Sequence, residues 1–142
     1  MKRIAIVYWS ATGNTEAMAK AVEEGAREEG AQTEIFTSDE FTADMVEDFE
    51  RIAFGCPSMG VEVLEEEEFE PMFTSVETVL GGKEIAIFGS YGWGDGQWMR
   101  EWHERCLEGG INVVNDEGLI INETPDAEGL EQCKELGRQL AK

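Results

Sequence analysis

At 142 residues, 42% of them apolar, the chain has the length of one ordinary domain and is too apolar to be disordered. No apolar run approaches the ~20 residues of a membrane span. Eleven basic against 31 acidic residues give a net charge of −20, which argues against nucleic-acid and membrane-surface roles. The same field favours encounter with basic partner surfaces, or serves solubility alone.

The opening Met1-Lys2-Arg3 and the run Ile4-Ala5-Ile6-Val7-Tyr8 have the charge and hydropathy of a secretory leader. The run stops at Trp9-Ser10 with no small-residue cleavage site, so it predicts a first strand in a cytoplasmic protein. Being continuously apolar rather than alternating, this strand is expected to be buried in a parallel sheet. Residues 14–29 place Ala17, Met18, Ala21, Val22 and Gly25 at helical spacing, and Gly30 ends the helix. Residues 33–36 predict a short strand towards an edge, 42–47 a weak helix, 51–55 a third strand and 70–80 a helix. A fourth strand follows at 84–88 and a helix at 97–108. Val113-Val114 and Leu119-Ile120-Ile121 predict a fifth strand, kinked by the turn Asn115-Asp116-Glu117-Gly118. Thr124-Pro125 supplies an N-cap and first helical residue for a last helix at 126–141. Strands alternating with helices imply a parallel, doubly wound sheet covered on both faces.

Cys56, Cys106 and Cys133 contain no C-x-x-C pair and, with the single His103, no zinc pattern, so buried thiols are expected. His103 reads as a surface helix residue, and Trp98 and Trp102, four apart, as core packing. No nucleophile–base constellation supports hydrolytic catalysis.

In a doubly wound sheet, ligands bind beyond the carboxyl ends of the strands, where the winding direction reverses. Three loops of unusual composition fall there. The first, Ser10-Ala11-Thr12-Gly13-Asn14-Thr15, offers three hydroxyls, one amide and the N–H groups of a helix N-terminus, a set that suits a phosphate. It lacks the Walker A ending and the dinucleotide G-x-G-x-x-G, and it contains no Lys or Arg. Any phosphate would be held by neutral hydrogen bonds and the helix dipole; taken alone, the loop also reads as an ordinary helix cap. The second, Cys56-Pro57-Ser58-Met59-Gly60-Val61-Glu62, puts Met59 in a poor place for core packing, although a lone loop Met more often packs than binds. The third, Gly89-Ser90-Tyr91-Gly92-Trp93-Gly94-Asp95-Gly96, surrounds Tyr91 and Trp93 with glycines that let the backbone approach a ligand. Its alternative is a Trp that merely closes over the loop. Together the loops describe a ligand with a phosphate at one end and a flat ring at the other.

Here the sequence resembles the flavodoxins. Ile6-Val7-Tyr8-Trp9-Ser10-Ala11-Thr12-Gly13-Asn14-Thr15-Glu16 is similar to their phosphate-binding signature. Glu62-Val63-Leu64-Glu65 through Phe69-Glu70-Pro71, and Phe88-Gly89-Ser90-Tyr91-Gly92-Trp93-Gly94-Asp95-Gly96, are similar to their two flavin loops. The resemblance spans essentially the whole chain, and the short fifth-strand region matches the short-chain group. It implies a flavodoxin-like α/β fold with sheet order 2-1-3-4-5 in a single domain, residues 1–142. It also implies a non-covalent FMN in a monomeric electron carrier with no substrate of its own, and the acidic field, which makes the second electron costly, points to a low potential. Its partners would be basic-surfaced redox proteins, reductases and electron acceptors. The rival is a flavodoxin-like regulatory or binding module with flavin absent or accessory.

Carried over by position, Ser10, Thr12, Gly13, Asn14 and Thr15 would hold the phosphate, with Ala11, Pro57 and Ser58 in the same site. Met59 and Trp93 would cover the two faces of the ring. Glu62 would accept a hydrogen bond from ring N3–H, and Gly60 would turn its carbonyl towards N5 once that atom is protonated. Ser90 and the backbone of Tyr91, Gly92, Gly94 and Asp95 would line the remainder. The chain departs from the family pattern at Ala11, where Gly is frequent, and at Pro57, where many relatives carry Ser. It departs again at Val61, where polar or turn-forming residues are usual. If Gly60-Val61 centres a type II turn in the reduced protein, Val61 needs φ > 0, at a cost of about 1–3 kcal/mol. Glu65-Glu66-Glu67-Glu68 reads either as a docking patch for a basic partner or as a solvated face leading into a helix N-terminus.

Overall fold

A computed structural model describes residues 2–142. The strands are β1 (Arg3–Tyr8), β2 (Gln32–Thr37), β3 (Arg51–Gly55), β4 (Glu84–Tyr91), β5 (Asn112–Val113) and β6 (Leu119–Asn122). The helices are α1 (Asn14–Glu28), α2 (Phe69–Glu77), α3 (Gln97–Glu108) and α4 (Ala127–Ala141). Every strand pair is parallel, in the order β2-β1-β3-β4-β5, with β6 also paired to β4. The expected 2-1-3-4-5 winding is present, its fifth strand divided in two.

The continuously apolar strands are explained by cover on both sides. Ile4 and Ile6 of β1 join Met18, Val22 and Ala26 of α1 and Cys133, Leu136 and Leu140 of α4. Ala5 and Val7 point the other way, into Phe69, Phe73 and Val76 of α2 and Trp98, Trp102 and Cys106 of α3. Alternate residues of one strand therefore feed two different cores. Trp98 and Trp102 are buried as expected, and all three cysteines are free and buried. Burial pushes the Cys106 and Cys133 thiols up to about 12, and that of Cys56 higher still, so none is a thiolate at neutral pH.

The turn between β5 and β6 is bridged by a side chain. Asn115 Nδ2 donates to the Ile87 carbonyl at 2.8 Å and its Oδ1 accepts from the Ile87 N–H at 3.2 Å. One amide thus stands in for the missing rung of the ladder. Because β6 pairs Phe88–Tyr91 of β4, that strand runs three residues past its expected end at Phe88. The Gly89-Ser90-Tyr91 segment is therefore strand, not loop.

Three helical expectations change. Residues 43–48 form a 3-10 helix, and α2 ends at Glu77 rather than 80. The cap of α4 is Asp126, not Thr124: the Asp126 carboxylate accepts from the Gly129 N–H at 2.8 Å. Thr124 instead donates to Asn14 Oδ1 at 3.2 Å, joining the far ends of the chain at the sheet's carboxyl edge.

Candidate functional site

The loops leaving β1, β3 and β4 meet in a cleft of about 190 Å³. Ser10, Ala11, Thr12, Asn14 and Thr15 line it from the first loop, Pro57, Ser58 and Met59 from the second, and Ser90, Tyr91 and Gly92 from the third. Glu123, just past β6, completes the lining and was not foreseen. Its signal was weak: one more acid in an acidic chain, though it too lies beyond a strand's carboxyl end.

In the first loop, Ser10 Oγ accepts from the N–H groups of Gly13 (3.1 Å) and Glu16 (3.2 Å). Ser10 thus satisfies the third N–H of α1 from outside the helix, whose N-cap is Gly13, and its own O–H still has a proton to donate. Gly13 is left-handed at φ 94°, a conformation glycine adopts without strain. It brings the Asn14 and Thr15 N–H groups to the start of α1, where no intrahelical carbonyl can reach them. Thr15 is not an open hydroxyl. It is fully buried, with Oγ1 2.9 Å from Ser90 Oγ, so the pair braces the cleft floor and Thr15 offers the cleft its backbone N–H.

The second loop is a small hairpin. Met59 N–H donates to Val63 O at 2.8 Å and Val63 N–H to Met59 O at 2.9 Å. This pairing leaves three residues in the turn, with Gly60 (φ 50°) and Glu62 (φ 55°) left-handed on either side of Val61. Val61 is 81% exposed and free of positive φ, so in this conformation the strain expected there falls on Glu62 instead. Glu62 also ties this loop to the third: its Oε1 accepts from the Gln97 N–H of α3 at 3.0 Å, and its carboxylate packs against Gly94. Among the described residues, Oε2 makes no hydrogen bond.

In the third loop, Asp95 turns away to Arg100, 2.9 Å from its carboxylate, and that hydrogen bond holds the Asp95 carboxyl below the usual range. Glu62, Gly94 and Asp95 thus lie at the start of α3, and with Gly60 and Trp93 they fall outside the cleft's lining. Trp93 has entered no core: it is 63% exposed.

The acidic run divides. Glu65 is buried and accepts from the N–H groups of Glu67, Glu68 and Phe69, each at 2.8 Å, as the anion at the start of α2. Burial alone would raise its carboxyl; the three donors outweigh it and hold the group below its ordinary value. Glu66, Glu67 and Glu68 stay exposed, and Glu68 accepts from Trp9 Nε1 at 2.8 Å. The helix-start reading thus holds for Glu65, and only its neighbours present a charged surface. Because the Glu65 pKa falls on folding, its stabilisation is present above the ordinary value of 4.5 and lost as pH falls through the folded value. Glu65→Ala is expected to cost about 1–2 kcal/mol at pH 7 and clearly less near pH 3. Urea unfolding at both pH values checks this; equal losses would contradict it.

Comparison with known proteins agrees with this geometry. The flavodoxin family model matches residues 6–137. The flavodoxin of Clostridium beijerinckii is 43% identical over 136 residues, 96% of this chain and 97% of that one. The flavodoxin of Megasphaera elsdenii is 44% identical over 139 residues, 98% of each chain. The solution structure of the two-electron reduced Megasphaera elsdenii protein superposes with a TM-score of 0.89, covering 97% of this chain and 98% of that one. A match of this extent, with the sheet order and the strand-end loops in place, shows that the chain belongs to the flavodoxin family, in its short-chain group.

Proposed function

We propose that residues 1–142 form one FMN-binding domain whose phosphate end is the Ser10–Thr15 loop. As a flavodoxin the chain is an FMN electron-transfer protein that works with redox partner proteins, not an enzyme with its own substrate. FMN supplies the redox chemistry, one electron at a time, and the protein supplies binding and electrostatics. The observation that carries the assignment is the donor set. Ser10, Thr12, Asn14 and Thr15, which carry hydroxyls and the N–H groups of a helix start, line one cleft where, among the described residues, no Lys or Arg does. Such a set fits a phosphate monoester held by neutral donors and a helix dipole.

On this reading Ala11, Pro57 and Ser58 complete the phosphate end, and Met59 and Trp93 cover the two faces of the ring. The uncommitted Oε2 of Glu62 accepts from ring N3–H while Gln97 fixes the other oxygen. The left-handed Gly60 lets its carbonyl swing towards N5. Ser90 with the backbone of Tyr91, Gly92, Gly94 and Asp95 walls the rest. The net charge of −20, with Glu62 and Asp95 beside the cleft, makes added electrons costly. A low-potential, monomeric cytoplasmic carrier serving basic-surfaced reductases and acceptors follows.

The exposed indole provides the test. Trp93→Ala is expected to weaken FMN binding by about 1–3 kcal/mol, by analogy with base–aromatic stacking, and to relieve quenching of flavin emission. Fluorescence titration of both proteins measures it. An unchanged affinity and spectrum would remove Trp93 from the site.

A further inference from the structure

We infer that the chain carries a second binding site, between α3 and the segment that leads from the Met59–Val63 hairpin into α2. Its ligand is a primary carboxamide on a short apolar stem, the group of an asparagine or glutamine side chain. The inference goes beyond the FMN reading and does not rest on it. A cavity of about 230 Å³ opens there and shares no lining residue with the cleft described above. Its wall includes Trp102, which is 2% exposed and whose Nε1 is a buried donor with no hydrogen-bond partner among the described residues. The rings of Phe69 and Phe73 meet that indole edge to face, with centroids 5.4 and 5.7 Å away, and supply no oxygen. The cavity is therefore where an acceptor can enter. Buried donors are nearly always paired in folded proteins, so an unpaired one marks this wall as a place that receives an acceptor.

The remaining walls select the ligand by its donors and acceptors. Arg105 offers no free charge: Glu70 accepts from its Nη1 and Nη2 at 2.9 and 2.8 Å, and Glu77 from its Nε and Nη2 at 3.0 and 2.8 Å. The open charge on the wall is negative. Glu101 is exposed; its Oε2 accepts from Gln97 Nε2 at 2.9 Å, and its Oε1 makes no hydrogen bond among the described residues. Glu62 adds a second carboxylate, with Oε1 held by the Gln97 N–H. A ligand must therefore bring an acceptor to Trp102 and donors to a carboxylate. An anion is repelled. An ammonium or guanidinium group has donors but no acceptor and would leave Trp102 unserved. A primary amide carries both, an oxygen with two lone pairs and a nitrogen with two donor protons. Val63, Leu64 and Trp98 supply apolar surface for its stem. The volume lies below that of drug-sized ligand pockets, so the site admits one side chain or a small amide rather than a cofactor.

The experiment titrates butyramide, n-butanol, n-propylguanidinium and butyrate into isotope-labelled protein and follows the Trp102 indole N–H resonance, assigned by its loss in Trp102→Phe. Butyramide is expected to move that resonance saturably at millimolar concentration and to leave those of Trp9 and Trp93 in place. The alcohol should act more weakly and the two ions not at all. Glu101→Ala, at an exposed position, should weaken butyramide about tenfold without lowering the melting temperature. Acetylglutamine N-methylamide, with acetylalanine N-methylamide as its reference, separates the two sources of the amide. A shift with the glutamine derivative as well as butyramide assigns the site to a side chain of a partner protein, and a shift with butyramide alone assigns it to a free small amide. The inference is overturned if butanol or propylguanidinium moves the resonance as strongly as butyramide, or if Glu101→Ala binds butyramide as tightly as wild type. It is equally overturned if no probe moves the resonance, the donor then being served by water only. Flavin absorption recorded in the same samples keeps the two readings apart: failure to bind FMN would overturn the FMN reading and leave this one standing.

Discussion

Riboflavin is expected to bind the apoprotein at least about a hundredfold more weakly than FMN. The two differ only in the phosphate, so their ratio isolates the first loop. Hydrogen bonds to a charged group are each worth about 1.5–3 kcal/mol, and Asn14 N–H, Thr15 N–H and the Ser10 hydroxyl offer at least two such bonds. Two of them already exceed a factor of about 100 after rounding down for the desolvation of the anion. Glu123, the one charge on the lining among the described residues, cannot add to the phosphate's hold. With no cation contributing and a net charge of −20 opposing the dianion, the ratio should not fall with salt, unlike that of a site built on ion pairs. Titrating both flavins at low and high ionic strength tests it. Equal affinities would dismiss the loop as a phosphate site, and an FMN preference that falls steeply with salt would mean a basic group had been overlooked.

The second large effect concerns Gly89. A Cβ there would lie 2.0 Å from the Cys56 carbonyl oxygen and 3.2 Å from the Trp98 ring. Neither neighbour can yield cheaply: the Cys56 carbonyl accepts from Trp98 Nε1 at 3.2 Å, and Trp98 is buried in the core. Gly89→Ala must therefore push β4 away from the end of β3, at a cost of about 3 kcal/mol or more. The same shift would break the Ser58 N–H to Ser90 carbonyl bond, 3.0 Å, that aligns the second and third loops, so FMN affinity should fall as well. Gly92→Ala is the control, since a Cβ there meets nothing within 4 Å and should change stability by no more than about 0.5 kcal/mol. Denaturant unfolding of the two variants decides; a Gly89→Ala protein as stable as wild type would contradict the packing.

These cases show which features the sequence made legible. Strands β1, β3 and β4 and helices α1 and α3 were readable because apolar content and its period depend on neighbours within a few residues. The split fifth strand was readable from the Asn115–Gly118 turn residues. Most of the misplaced features depend on contacts distant in sequence. The extension of β4 to Tyr91 needs β6, thirty residues on. The cap of α4 passes from Thr124 to Asp126 because Thr124 is engaged by Asn14. Thr15 loses its hydroxyl to Ser90 in the same way. Four consecutive glutamates look alike in composition, yet only Glu65 is buried with three N–H donors. Gly89, read as freedom to approach a ligand, is needed for strand-to-strand clearance. In this conformation Val61 has no left-handed backbone, because the Met59–Val63 pairing puts the left-handed residues on either side of it; the strain expected of it belongs to the turn of the reduced protein. The ring-facing roles proposed for Met59 and Trp93 rest on family resemblance rather than periodicity, since no local pattern distinguishes a stacking Trp from a stray one.

The most direct test of the central claim is the visible absorption spectrum of the purified protein, followed during stepwise reduction. A yellow protein is expected, carrying one flavin per chain that is released as FMN on denaturation and reduced in two resolved one-electron steps. A colourless protein that takes up no added FMN would contradict it and leave the flavodoxin-like binding module as the better description.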